Sequence, residues 1–115
     1  MIVSFACQDI EFVDLIRCSF ELSKTEYSIL MYLLTKEKWY TTSKLAEVIG
    51  LDRTTIQKSI KHLADKGLVK RFQENLDKGG YMYLYNIKDK EGIKKRMRNL
   101  VENWYKEVLT QIADW

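Results

Sequence analysis

A mainly α-helical fold with a single small β-hairpin is what this sequence predicts, and three observations carry the prediction. Apolar residues recur at three- and four-residue spacing through most of the chain. Two helix-sized segments meet at a short glycine-containing turn, and directly after them the apolar period changes to two. With 115 residues, 46% of them hydrophobic and 30% charged, the chain is long enough for one compact domain and too short for two. No apolar run approaches the roughly 18 residues of a membrane span. The N-terminus lacks a basic stretch followed by an apolar one, so a soluble, cytoplasmic protein is expected.

Taken in order, Asp9 to Cys18 reads as a short amphipathic helix with Ile10, Val13, Leu15 and Ile16 as its apolar positions. Ser23 and Glu26 then stand three apart, the spacing at which a serine oxygen and a glutamate side chain each satisfy an orphan backbone donor of a helix start. Behind them Tyr27, Leu30, Met31 and Leu34 form a core-facing stripe to about Lys36. Trp39 to Thr41 suits a brief strand, and Thr42 suits the N-cap of the next helix, whose apolar face is Leu45, Ala46, Val48 and Ile49. Gly50 sits where a left-handed cap is wanted. Asp52 opens another helix to about Lys66, with Ile56, Ile60, Leu63 and Ala64 on one side and Gly67 closing it. Residues 68–72 and 81–85 are strand-like, and Asp77, Lys78, Gly79 and Gly80 between them are turn chemistry. Helix, tight turn, helix and hairpin make a winged helix-turn-helix over residues 1–88.

From Asp89 to Trp115 the pattern is continuously helical, the same compact unit continuing into a C-terminal helix. Ile93, Met97, Leu100, Val101, Trp104, Val108, Leu109, Ile112 and Trp115 keep mainly three- and four-residue spacing. A helix of that length reaches nearly 40 Å, more than a winged-helix body covers, and it leaves tryptophans and aliphatics in water. A homodimer built on this helix, with Ile93, Met97, Leu100, Val101, Trp104, Val108, Ile112 and Trp115 at its interface, is therefore expected. The alternative packs the helix on the first two helices of the same chain.

The net charge of +3 is uninformative, but its distribution is not. Residues 1–52 carry five Lys/Arg against eight Asp/Glu, whereas residues 53–80 carry seven against three. A local positive segment in a near-neutral chain is either a solvated helix face or a surface that meets phosphate. On the helix after Asp52, the residues opposite the apolar side are Thr54, Lys58 and Lys61, flanked by Thr55 and Gln57, with Arg53 in the first turn. Lysine and arginine donate to guanine, glutamine pairs with adenine, and threonine offers a hydroxyl and a methyl, which suits a major groove. Thr42, Ser43 and Lys44 stand at the start of the preceding helix, where phosphates are met, and Lys78 stands at the wing tip with Lys70 or Arg71 near. Each has a plainer role open to it: Thr42 as a cap, Lys61 and Lys70 as solvating charges.

The run from Thr41 to Ile56, the segment Ile60 to Val69, the helix Ser23 to Leu34 and the wing strand Gly79 to Tyr85 together resemble the TrmB-like and MarR-like winged-helix regulators common in archaea. The resemblance spans about residues 20–87 with specificity and the last helix by position only. It implies transcriptional regulation through dimeric binding to a pseudo-palindromic promoter site in double-stranded DNA. Larger TrmB-like members carry a C-terminal sugar-binding domain, whereas this chain ends after one helix, so carbohydrate sensing is not expected of it.

Two cysteines, Cys7 and Cys18, and one histidine, His62, are too few and too dispersed for a zinc site, and no metal or cofactor is expected. The cysteines are either small buried hydrophobes or a redox pair. Arg17 next to Cys18 favours the thiolate, while a helix C-terminus disfavours it. No set of residues at suitable spacing points to nucleophilic or metal catalysis, so an enzyme is not expected. A protein–protein interaction module on the same scaffold stands as the alternative to DNA binding. RNA binding through Tyr81, Tyr83 and Tyr85 is a third reading, although their placement on one side of a hairpin also suits packing.

Overall fold

The structure, a computed structural model, describes residues 1–115. Five helices and two antiparallel hairpins follow in the order β1 (Ile2–Phe5), β2 (Gln8–Glu11), α1 (Phe12–Phe20), α2 (Lys24–Lys36), α3 (Thr42–Ile49), α4 (Arg53–Asp65), β3 (Val69–Asn75), β4 (Tyr81–Ile87) and α5 (Lys90–Asp114). The architecture is a winged helix-turn-helix with a long last helix. Contacts divide it into two units: Leu22–Asp89, and Met1–Glu21 together with Lys90–Trp115.

In the 22–89 unit, α2 begins at the reciprocal cap read in the sequence: Ser23 Oγ accepts from the Glu26 N–H at 3.1 Å, and Glu26 Oε1 accepts from the Ser23 N–H at 3.2 Å. The buried side of α2 is Glu26, Ile29, Leu30 and Leu33, so the stripe is rotated from the expected one, and Tyr27, Met31 and Leu34 are only half-buried. The cause is that α2 packs on α4, on α3 and on β4 at once, so it is apolar around much of its circumference. The N-cap of α3 is Thr41, not Thr42: Thr41 Oγ1 accepts from the Lys44 N–H at 3.1 Å, while Thr42 is the first helical residue and is buried. Gly50 ends α3 at φ 82, the left-handed position expected of it.

The core of this unit gathers Leu22, Ile29, Leu30, Leu33, Leu45, Ile56, Ile60, Leu63, Leu68, Val69 and Ile87. Truncating any of the fully buried ones to alanine costs about 2–5 kcal/mol. In the wing, Val69 faces Ile87 and Asn75 faces Tyr81, so both strands are longer than the five-residue runs legible in the sequence. The brief strand expected near Trp39 is a single bridge, in which Tyr40 and Tyr85 exchange N–H to carbonyl bonds at 2.9 and 2.8 Å.

In the other unit, residues 9–11, expected to start a helix, belong to a strand. Ile2 pairs with Glu11, Val3 with Ile10, Ser4 with Asp9 and Phe5 with Gln8. A two-residue turn at Ala6 and Cys7 joins the strands, with Ala6 at φ 51. α1 packs against β2 and against α5, and the Arg96 guanidinium lies 5.3 Å from the centre of the buried Phe20 ring. α5 runs 25 residues, about 37 Å. No helix is long and apolar enough to cross a membrane.

Candidate nucleic-acid interface

Asp52 starts α4. Its carboxylate accepts the Thr55 N–H at 3.1 Å and the Thr55 hydroxyl at 2.5 Å. Those bonds, the hydroxyl first and the amide next, hold its pKa below the usual aspartate range. Ile56, Ser59, Ile60 and Leu63 are buried beneath the helix. Thr54, Lys58 and Lys61 are exposed on the opposite side, as the helical period requires, with Gln57 exposed on the flank and Arg53 exposed in the first turn. Thr55 is half-buried and its hydroxyl is committed to Asp52, which leaves it an acceptor towards any ligand. Three donors (Arg53, Lys58, Lys61), one amide (Gln57) and one free hydroxyl (Thr54) thus share a solvent-facing surface with no apolar side chain among them.

The remaining expected contacts divide. Ser43 and Lys44 are exposed at the N-terminal turn of α3, and Lys44 reaches Glu47 at 3.6 Å in an exposed ion pair of small energetic weight. Thr42 is buried, so only its backbone amide faces the helix start. Lys78 is exposed in the turn between the wing strands, where Gly79 and Gly80 take φ 90 and 81. The turn closes through the Leu76 N–H to the Gly80 carbonyl at 3.1 Å and the Gly79 N–H to the Leu76 carbonyl at 3.1 Å. Arg71 is exposed, its guanidinium 4.1 Å from the centre of the Tyr83 ring, against which Tyr81 leans at 5.2 Å.

That arrangement changes the reading of the wing tyrosines. Tyr83 is the platform for Arg71, and Tyr81, 57% exposed, leans on Tyr83 instead of entering a core, while Tyr85 is half-buried beside Tyr40. On the other face of the hairpin, Lys70 lies 5.5 Å from the centre of Trp39, and Trp39 meets Phe72 at 5.9 Å. The Trp39 pairing was not legible in sequence, because its partners are more than thirty positions away.

His62 also finds a definite place. Its Nδ1 donates to Glu26 Oε2 at 2.9 Å, and Lys66 Nζ reaches Glu26 Oε1 at 3.4 Å. Burial raises the Glu26 pKa, but the bonds from His62, the Ser23 amide and Lys66 outweigh it, and the net displacement is downward. This carboxylate both caps α2 and ties α2 to α4. Cys7 and Cys18 are free thiols and both are exposed, which corrects the expectation of buried hydrophobes: Cys7 sits in the β1–β2 turn and Cys18 on the outer side of α1. No group of three or more His, Cys, Asp or Glu side chains is arranged to hold a metal ion.

A family model described as the sugar-specific transcriptional regulator TrmB matches residues 16–91. The uncharacterised protein MJ1082 of Methanocaldococcus jannaschii is 34% identical over 95 residues, 83% of this chain and 78% of that protein. A possible transcriptional regulator from Methanosarcina mazei Go1 superposes with a TM-score of 0.89 at 31% identity, over 100% of this chain and 97% of that one. A mutant MepR from S. aureus bound to an oligodeoxyribonucleotide superposes with a TM-score of 0.59 at 14% identity, over 87% and 72% of the two chains. At that identity the likeness is one of fold.

Proposed function

Since the chain belongs to the TrmB family of transcriptional regulators, we propose that it regulates transcription by binding double-stranded DNA as a homodimer, α4 in the major groove and the β3–β4 wing on the backbone or in the minor groove. One observation carries the reading. α4 buries Ile56, Ser59, Ile60 and Leu63 and turns Arg53, Thr54, Gln57, Lys58 and Lys61 to solvent, a surface of donors with no apolar element. An interaction module that used this face to bind protein would need apolar anchors at its centre, and α4 presents none. The fold shared with an oligodeoxyribonucleotide-bound regulator agrees with this choice. The α3 start, through Ser43 and Lys44, and the wing, through Arg71 and Lys78, supply the phosphate contacts that fix register.

The dimer rests on α5. At 100° per residue, Leu100, Val101, Trp104, Ile112 and Trp115 fall within an arc of about 120° together with Ile93, Met97 and Val108. Of these only Ile93 is buried; Trp104 is 56% and Trp115 102% exposed. A second α5 on this stripe gives a two-fold arrangement matching a pseudo-palindromic site.

Fluorescence anisotropy with labelled genomic duplexes, across a salt series, tests the reading. Affinity should fall steeply as salt rises, because bound counterions are released on complex formation. Absence of binding to any duplex at low salt would refute it.

A further inference from the structure

The first eleven residues form a hairpin with two unlike faces. Ile2, Ser4, Asp9 and Glu11 lie on one, where Ser4 Oγ donates to Asp9 Oδ1 at 2.8 Å; Val3, Phe5, Gln8 and Ile10 lie on the other. The apolar face turns toward α5: the Phe5 ring meets Trp104 edge-on, with centroids 6.4 Å apart. Yet that corner is half open, with Phe5 62%, Val3 43% and Trp104 56% exposed. A two-stranded hairpin of this size is marginal in water without a covering surface. This one also holds Ala6, a residue with a Cβ, in the left-handed region at φ 51.

We propose that the hairpin is a dimerisation arm, whose Val3–Phe5 face continues the apolar stripe of α5 and seats on α5 of a second copy of this chain. The inference rests on the homodimer reading above and adds a surface to it. Beyond Trp104, the side chains of Val108, Ile112 and Trp115 line an open concavity on α5. From their exposures, the stripe residues Leu100, Val101, Trp104, Ile112 and Trp115 leave roughly 600 Å² of mainly apolar surface in water, on the scale of the apolar part of the ~800 Å² that each partner of a stable complex buries. Val3 and Phe5 add roughly 200 Å² contiguous with it, since Phe5 already touches Trp104. A second copy is the occupant because the exposed apolar area of stripe and hairpin together is on the scale that one partner of a stable dimer contributes, and the two surfaces are continuous where Phe5 meets Trp104. In an isologous contact each hairpin covers the stripe that the other copy presents.

Sedimentation equilibrium over a dilution series measures the dimer constant of the full chain and of two variants. Val3→Ser with Phe5→Ser should raise the dissociation constant at least tenfold. Ile2→Ser, on the polar face, should leave it within twofold. An unchanged constant for the double variant overturns the arm while leaving the α5 dimer in place. A monomeric wild-type chain at micromolar concentration overturns both. Should the double variant lose helical circular dichroism, a photo-reactive benzoylphenylalanine at position 5 decides instead. Cross-linking to an α5 peptide of a second, isotope-labelled copy supports the arm, and cross-links confined to one chain overturn it.

Discussion

Glu26 is the residue with the most structural obligations. It is the third residue of α2, its carboxylate takes the Ser23 N–H, and it also receives His62 of α4 and Lys66 at the C-cap of α4 while only 7% exposed. A buried carboxylate without partners is costly, and one with three donors is not. Glu26→Ala removes the cap partner and orphans two basic groups, so thermal melting should report a loss of about 2–3 kcal/mol. Glu26→Gln keeps an acceptor for the Ser23 amide and should lose about 1 kcal/mol. The pH response separates charge from shape. The folded pKa lies below the ordinary glutamate value of about 4.3. The stabilisation is therefore complete above that value and disappears as pH falls through the folded pKa. Melting temperatures of wild type and Glu26→Gln should differ at pH 7 and converge as pH drops below about 4. A gap that stays constant across that range would show that the charge contributes nothing.

At the scale of elements, local chemistry was the legible part. Ser23 with Glu26, Gly50 and Asp52 each satisfy backbone groups within four residues of themselves, so their roles can be read without knowing what packs against them. The N-terminal hairpin escaped because its turn has neither glycine nor asparagine; Ala6 takes the left-handed position instead. Ile10 fitted the helical spacing of Val13 and so was assigned to the helix, while in the structure it faces Val3 across the hairpin. The α2 stripe was misphased for another reason: a helix covered on several sides has no single apolar face to read. Gly50 offers a clean test of the conformational argument. At φ 82, with nothing within 4 Å of where a Cβ would stand, Gly50→Ala meets no neighbour and costs only its backbone geometry. A loss of about 1 kcal/mol, or roughly 4 °C in melting temperature, is expected, with DNA affinity unaltered once the protein is folded. A loss above about 3 kcal/mol would mean that the α3–α4 turn is held by something other than dihedral preference.

At the scale of the whole molecule, a net charge of only +3 bears on how the chain, as proposed, would hold a polyanion. The overall charge is too small to do it. The surplus sits in residues 53–80, and of its members Lys58 and Lys61 stand exposed on the outer side of α4, while Lys66 is turned inward to Glu26. The outward face of α4 was legible because the helix has one buried side, which the helical period converts directly into an exposed one. The wing was less so, since whether Tyr83 supports Arg71 depends on cross-strand register that no single strand reveals. Binding should therefore respond to these few cations far more than to net charge. Lys58→Ala with Lys61→Ala lowers the net charge to about +1 and should weaken binding at least tenfold at 0.1 M salt. If both lysines meet phosphates, the slope of log affinity against log salt should become shallower by about 1.8. If they read bases instead, affinity for a preferred fragment should fall with a smaller change in slope, and discrimination against random duplex should fall with it. Lys94→Ala with Lys95→Ala, an equal charge change on exposed positions of α5, is the control. Equal weakening by the two pairs would mean that charge alone, and not the face of α4, governs the contact.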